Sequence, residues 1–375
     1  MNLLVSTSLF YPSRLGGPAN TVYWLAKGLA RSDVKVTVVT TNGYIKDDWV
    51  KADCWLSKDG IRIRYCQRGL MCIPKMLCHT LREMKSADVV MLCDLFQKQV
   101  FFTALMARLF KKQIIWSPRG ELFLSAIGGS RLKVIYIKFV KHIFGQYAKF
   151  HATSEDEKEL IINNIGEKAK VVVMPNYIEL PELQIRQDET PSYLLYLGRI
   201  APIKAIDKLI EGLALSESFR NSTFLFKIAG GVENQFIEYY NQLKRLIIRH
   251  NLQEKVFFIG PVSGKEKFQT YANAHTLFLV SESENFGNVI IEALSQGTPV
   301  VASTGTPWSI LEEMKAGYWI DNTPDEISKA IDRVILQSPK DYTNMRKNAY
   351  ALGDTFDINK NISHWIDALS TNFQG

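Results

Sequence analysis

No stretch of this sequence reaches the roughly 18 uncharged apolar residues that a membrane-crossing helix needs, so no span is predicted. The opening residues, Met1-Asn2-Leu3-Leu4-Val5-Ser6-Thr7, lack both a basic n-region and a long apolar h-region. They read as a strand rather than a signal peptide, which makes a cytosolic location the expectation. Cysteine is sparse: Cys54, Cys66, Cys72, Cys78 and Cys93 are odd in number, form no Cys-x-x-Cys pair and have no histidine cluster beside them. Free thiols are expected, not a zinc site or a disulfide framework. There is no repeat of solenoid period and no low-complexity tract. The G-x-G-x-x-G fingerprint of NAD-dependent dehydrogenases and its following acidic residue are missing. So are a Ser-His-Asp or Cys-His constellation and any nucleic-acid recognition motif. The six histidines are scattered and read as structural.

What is present describes a folded protein of two domains. A chain of 375 residues with 46% hydrophobic and 22% charged content is too long for one ordinary core. Charge is uneven: residues 1–185 hold 26 Lys and Arg against 16 acids, and residues 186–375 hold 19 against 22. The basic front half is expected to meet something anionic, such as a membrane surface or a phosphorylated acceptor. Short apolar runs predict strands at 2–6, 35–41, 61–66, 88–93, 113–117, 150–153 and 170–174, then at 192–197, 224–229, 256–259, 276–280, 299–302 and 318–320. Amphipathic stretches between them, such as 21–30, 154–163, 204–215, 234–250 and 288–295, supply crossover helices. This alternation predicts βαβ units and parallel sheets, hence two doubly wound α/β domains. A Pro-, Gln- and acid-rich segment from Pro175-Asn176 to Pro191-Ser192 marks the boundary. The predicted domains are 1–185 and 186–355, with a terminal helix at 356–375 returning to the first domain. Ligands of such sheets bind at the strand C-termini, here expected to meet at a cleft.

Four elements carry candidate chemistry. The turn Tyr11-Pro12-Ser13-Arg14-Leu15-Gly16-Gly17-Pro18 joins the first strand to the first helix. Gly16 and Gly17 permit close backbone approach to a ligand, and the helix start offers N–H groups to an anion; a plain turn would look the same. Leu197-Gly198-Arg199-Ile200 ends the first strand of the second domain, with Lys204 five residues beyond Arg199. That pair offers a guanidinium fork and a point charge to a diphosphate. Ala229-Gly230-Gly231 closes a neighbouring strand, either facing the same crevice or making a tight turn. The fullest element is Ser281-Glu282-Ser283-Glu284-Asn285-Phe286-Gly287-Asn288-Val289-Ile290-Ile291-Glu292. Glu284 falls in a loop, Gly287-Asn288 opens a helix, and Glu292 lies roughly 7–8 Å along it. Two carboxylates so spaced suit the sugar and ribose hydroxyls at the two ends of a nucleotide sugar. The plainer alternative is a capped helix with an acid in its first turns.

In combination and in order, the Glu284-x7-Glu292 spacing, Gly198-Arg199…Lys204, Gly16-Gly17 and Val173-Met174-Pro175-Asn176 resemble the family-four GT-B glycosyltransferases over nearly the whole chain. Ser117-Pro118-Arg119-Gly120-Glu121-Leu122 and Ser283-Glu284-Asn285-Phe286-Gly287 resemble more narrowly the bacterial O-antigen and capsule glycosyltransferases. The resemblance implies a GT-B fold, two Rossmann-like domains facing across a cleft, and a retaining transfer from a nucleoside-diphosphate sugar. It implies that Arg199 and Lys204 hold the donor diphosphate and stabilise the leaving group. Glu284 would contact the donor sugar, with the Phe286 and Gly287 amides beside it, and Glu292 would hold the ribose. Gly17 would approach the diphosphate from the other domain. Gly16, Arg119, Gly230, Val262, Asn285 and Asn288 complete the expected substrate-binding set. Front-face attack, with the leaving phosphate helping to deprotonate the acceptor, needs no protein nucleophile.

The sequence departs from the family at two points. Arg119 stands where many members have a donor-orienting histidine, leaving it open as an acceptor contact, a donor contact or a structural ion pair. Ala205 replaces the glycine usual after Lys204, a change that suits a helix start. No cofactor and no metal are expected. Glu155-Asp156-Glu157 resembles an acidic metal pair, but Ser154 and Glu157 read as a capping box. Arg131–Phe144 alternates basic and apolar residues at helical spacing. It could lie on an anionic membrane or simply pack on the first sheet. The expected partners are the nucleotide-sugar donor and a glycan or lipid-linked glycan acceptor, with peripheral attachment at the cytoplasmic face of the inner membrane, and no nucleic acid. Rival readings are a GT-B epimerase on the same donor and a non-catalytic sugar-nucleotide-binding subunit.

Overall fold

The computed structural model describes residues 1–13, 17–45, 47–187 and 192–371. The chain divides into two compact units, residues 1–179 with 358–375, and residues 180–357.

The first unit is built on an eight-stranded sheet. Its strands are β1 (Asn2–Ser6), β2 (Lys35–Thr41), β3 (Trp55–Lys58), β4 (Ile61–Cys66), β5 (Val89–Cys93), β6 (Gln113–Ser117), β7 (Lys149–Ala152) and β8 (Lys170–Val173). They lie in the order β3-β4-β2-β1-β5-β6-β7-β8. All neighbours are parallel except the β3–β4 hairpin. Every residue of β5 is buried, as expected of a strand covered by helices on both faces. Between the sheet and the helices Lys98–Leu109 and Arg131–Phe144, the fully buried rings of Trp116, Phe144 and Phe150 pack together, Trp116 and Phe150 stacked nearly parallel at 6.2 Å. The helix Ile358–Ser370 joins this unit: Ile358 and Ile362 reach to 3.0 Å of where a β-carbon on Gly28 would stand. The Lys149 ammonium donates to the Ala368 carbonyl near that helix's C-terminus, where a cation is favourable.

The second unit has six parallel strands, β9 (Tyr193–Leu197), β10 (Leu225–Ala229), β11 (Val256–Gly260), β12 (Thr276–Leu279), β13 (Val300–Ser303) and β14 (Gly317–Ile320). Their order, β11-β10-β9-β12-β13-β14, reverses direction beside β9. The C-terminal ends of β9 and its neighbours thus form a topological switch point, where α/β sheets bind ligands. β9 is buried throughout, and covering each of its leucines contributes about 1.5–3 kcal/mol.

Each predicted strand is present with bounds shifted by at most a residue or two. Unpredicted is β3. It is short, half-buried and antiparallel, and its turn, Asp59-Gly60, takes positive φ at both residues (51° and 78°). That Asp-Gly pair is a hairpin signal in its own right.

Candidate functional site

At the end of β9 the chain turns through Gly198 and Arg199. The buried Tyr196 hydroxyl donates to the Arg199 carbonyl at 2.8 Å and braces this turn. Burial, with Glu284 nearby, pushes that phenol far above its ordinary range, so it stays a donor. The Arg199 side chain is half exposed and meets Glu233 at 3.1 Å, an ion pair worth little in solvent. Lys204 ends the short 3-10 turn Pro202–Lys204 and ion-pairs with Glu284, both side chains being mostly covered. Ala205 follows at φ 50° before the helix Ile206–Leu215. Its β-carbon therefore sits in left-handed backbone, at about 1–2 kcal/mol. The replacement of glycine there is a strained one, contrary to the expectation that alanine suits the position.

Glu284 lies in the loop after β12, its amide donating to the Gly305 carbonyl in the loop after β13 at 2.8 Å. Gly287 caps the helix Asn288–Leu294 at φ 86°, a conformation glycine adopts freely. Asn285 and Asn288 lie on either side of this turn, and Val262 lies half-buried in the loop after β11. Phe286 turns inward: its ring is buried, edge-on to Trp308 and Phe356, and its carbonyl accepts from the Trp308 indole. Its side chain is part of the core. Gly230 has an equally structural explanation. A β-carbon there would stand 1.8 Å from the Gly198 carbonyl oxygen, and its amide is used by the Gly260 carbonyl at 2.9 Å.

Glu292 is buried one turn into its helix. One carboxylate oxygen accepts from Lys267 at 2.7 Å and the other from the Tyr271 hydroxyl at 3.0 Å. Lys267 and Tyr271 lie on the helix Gly264–Asn273 at i, i+4 spacing, so they share a face. Neither was singled out from the sequence. Their helical spacing is that of any amphipathic helix, and only the tertiary fold brings them to Glu292. The second unit therefore gathers Arg199, Lys204, Glu284 and Glu292 onto loops and helix starts following β9 and β12. Two cations and two acids partner one another or their neighbours there: Lys204 with Glu284, Lys267 with Glu292.

The first unit holds the remaining predicted residues. Gly17 begins the helix Gly17–Arg31, and its carbonyl accepts from the Thr21 hydroxyl at 2.9 Å. Gly16 lies outside the described residues. Arg119 follows β6 at φ 52° and is partly buried. Among the described residues it forms no ion pair with a carboxylate, so the structural ion pair left open by the sequence is absent there. Ser154 caps its helix as predicted, accepting from the Glu157 amide at 3.2 Å. The buried Glu157 carboxylate is used differently from the expected capping box, its bonds going to Thr153 and Gly120 and not to the Ser154 amide. The bond from the Gly120 amide, at 2.6 Å, pins the loop that carries Arg119.

Two family models match the chain: "Glycosyl transferase 4-like domain" over residues 16–177 and "Glycosyl transferases group 1" over residues 182–352. A GDP-mannose:cellobiosyl-diphosphopolyprenol alpha-mannosyltransferase from Xanthomonas oryzae pv. oryzae is 27% identical over 96% of this chain and 93% of its own length. A D-inositol 3-phosphate glycosyltransferase from Mycolicibacterium smegmatis is 32% identical, over 37% of this chain and 32% of that enzyme. Among solved structures, Anabaena HepE in complex with UDP and glucose superposes with a TM-score of 0.75 at 17% identity, covering 98% of this chain and all of that one. WaaG, a glycosyltransferase involved in lipopolysaccharide biosynthesis, gives 0.70 at 15% identity over 99% of this chain and all of that one. These structures show the shared fold.

Proposed function

The chain belongs to the family-four GT-B glycosyltransferases, which use nucleotide sugars, and on that premise we propose a retaining transfer of a hexose-type sugar to a lipid-linked glycan. The observation that carries the proposal is the clustering of Arg199, Lys204, Glu284 and Glu292 at the switch-point edge of one sheet. Arg199 and Lys204 take the donor diphosphate and neutralise the charge that develops as the sugar leaves. Glu284, released from Lys204 as the diphosphate arrives, accepts from the sugar hydroxyls. Glu292, held in place by Lys267 and Tyr271, accepts from the ribose. The acceptor attacks from the face the diphosphate leaves, and a phosphate oxygen takes its proton, so the anomeric configuration is kept. The two cations do the work that a divalent ion would do elsewhere, and the reaction proceeds without metal.

The nearly full-length likeness to an enzyme named for a diphosphopolyprenol-linked acceptor supports a lipid-linked substrate. So does the surface of the first unit. On the helix Arg131–Phe144, Ile137, Val140 and Phe144 face the core, while Leu132, Ile135 and Phe139 are exposed beside Arg131 and Lys138. The helix carries more apolar residues than its buried face takes up, and the surplus lies among cations, as on helices that rest in an anionic bilayer surface. Among the described residues no helix is long and apolar enough to cross a membrane. The enzyme would work at the cytoplasmic face, building an O-antigen, capsule or other surface polysaccharide precursor.

Melting the protein against a panel of nucleoside-diphosphate sugars tests the donor side, since a bound donor raises the midpoint by mass action. One donor should stand out, Arg199→Ala should reduce turnover by at least about tenfold, and chelator should leave the rate unchanged. No shift with any donor would sink the reading, and an inverted anomer in the product would remove retention. Turnover of donor alone to an isomeric sugar nucleotide would favour an epimerase. Flotation with vesicles of anionic and of zwitterionic lipid tests the membrane face; equal binding to both would remove it.

A further inference from the structure

We propose that Arg119 is an anion receptor that selects an acceptor bearing a phosphate or carboxylate group, an inference resting on the transferase reading above. Arg119 stands at the C-terminal edge of the first unit's parallel sheet, directly after β6, the edge at which such sheets bind ligands. Its position is fixed from both sides. Before it, the Ser117 hydroxyl bonds His151 Nδ1 at 2.8 Å, and His151 Nε2 donates to the Met174 carbonyl at 2.9 Å. The Trp116 indole donates to the Asp94 carbonyl at 2.8 Å. After it, Glu157 holds the Gly120 amide. Between these clamps the residue is held at φ 52°, a conformation that disfavours any side chain with a β-carbon.

Among the described residues, the guanidinium so placed has no carboxylate in ion-pair contact. Its Nε is inaccessible to solvent and without a hydrogen-bond partner. Its side-chain neighbour is the buried Cys93 thiol, which burial pushes up to about 11 and which therefore carries no negative charge at neutral pH. Three carboxylates of the same sheet edge are committed elsewhere. Asp94 accepts from the Ser8 hydroxyl at 2.6 Å, Glu121 accepts from the amides of Leu95 and Phe96, and Glu157 is occupied as described. The fully buried His151 remains neutral, because burial and the nearby guanidinium push its pKa down to about 3. A partly buried guanidinium without an anion is a costly thing to hold in strained backbone, whereas a planar fork of donors matches a phosphate or carboxylate. A neutral sugar hydroxyl would be served as well by histidine.

Three small probes decide the matter on the full chain: glucose 1-phosphate, methyl β-D-glucuronide and methyl β-D-glucoside. Binding is followed by saturation-transfer NMR with UDP or GDP present to fill the donor site. The expected result is that one anionic probe binds at least about tenfold tighter than the neutral glucoside, the scale of a charged hydrogen bond. Arg119→Gln should erase that difference while leaving glucoside binding intact, and Arg119→Lys should restore part of it. Preference for glucose 1-phosphate assigns the anion to an acceptor phosphate, and preference for the glucuronide assigns it to an acidic sugar. Equal binding of charged and neutral probes, or an unaltered preference in Arg119→Gln, overturns the proposal. Unchanged glucoside binding also reports that the variant is folded. Failure of both nucleotides to bind would instead overturn the transferase reading, and the wild-type and Arg119→Gln comparison without nucleotide would still decide the role of Arg119.

Discussion

Replacing Glu292 separates a carboxylate that only holds the fold from one that also meets the donor. Its side chain is 8% exposed and that of Lys267 20%. Glu292→Ala removes the acceptor of two hydrogen bonds, at 2.7 and 3.0 Å. The orphaned Tyr271 hydroxyl is fully buried and costs about 1–3 kcal/mol. A wholly buried ion pair that loses one member costs about 3–5 kcal/mol, but the Lys267 ammonium can turn toward solvent, so its share is smaller. The expected loss of stability is about 2–4 kcal/mol for Glu292→Ala. Glu292→Gln keeps an oxygen for Tyr271 and should lose about 1–2 kcal/mol. Urea unfolding of the three proteins measures this. Repeating it with a nucleoside diphosphate at about 100 times its wild-type Kd adds roughly 2.7 kcal/mol to the wild type. If Glu292 holds the ribose, that increment should shrink by at least half in Glu292→Gln. An undiminished increment would refute the donor contact, and an unchanged stability without nucleotide would refute the buried network.

Lys204→Gln should lower kcat/KM by about 10- to 100-fold through the lost charge on the diphosphate; a near-normal value in steady-state kinetics would remove Lys204 from the site. Burial pushes both His151 and His275 down to about 3, so below pH 6.5 the unfolded chain binds protons that the folded chain refuses. Their contribution is intact above pH 6.5 and should fall by about 1.4 kcal/mol per histidine for each pH unit below it. Urea midpoints taken at pH 7.5 and 5.5 should show the fall, and His151→Gln should flatten part of it; identical slopes would be incompatible with a neutral buried ring. Gly230→Ala should destabilise the second unit by about 3 kcal/mol, the upper range of overpacking, because its β-carbon meets a backbone oxygen. Calorimetry showing a midpoint equal to the wild type would mean that the Gly198 turn yields freely.

The fold was legible because its strands are runs such as Val89-Val90-Met91-Leu92-Cys93, whose continuous burial and helical spacers permit little but a parallel sheet. β3 escaped because Trp-Leu-Ser-Lys is four residues long with no alternation, although the Asp59-Gly60 turn was readable. In the site, Arg199, Lys204, Glu284 and Glu292 were named from local position and spacing. Lys267, Tyr271 and Tyr196 were not, because each acquires its role from a contact across the fold. Glu157 shows the same division within one residue. Its cap to Ser154 is local and was predicted, and its bond to Gly120 spans 37 residues and was not.

The placement of the helix Ile358–Ser370 sets an order of events during synthesis. The first unit is interrupted by the second, 180–357, so its own last helix is translated after the second unit's final residue. At about 5–20 residues per second, the roughly 330 residues that separate the first helix from Ile358 and Ile362 keep Gly28 uncovered for roughly 16–66 s. Throughout that interval the first unit carries an open apolar seam, while the second, continuous in sequence, has what it needs to fold. The seam is therefore the part of a newborn chain most in need of a chaperone.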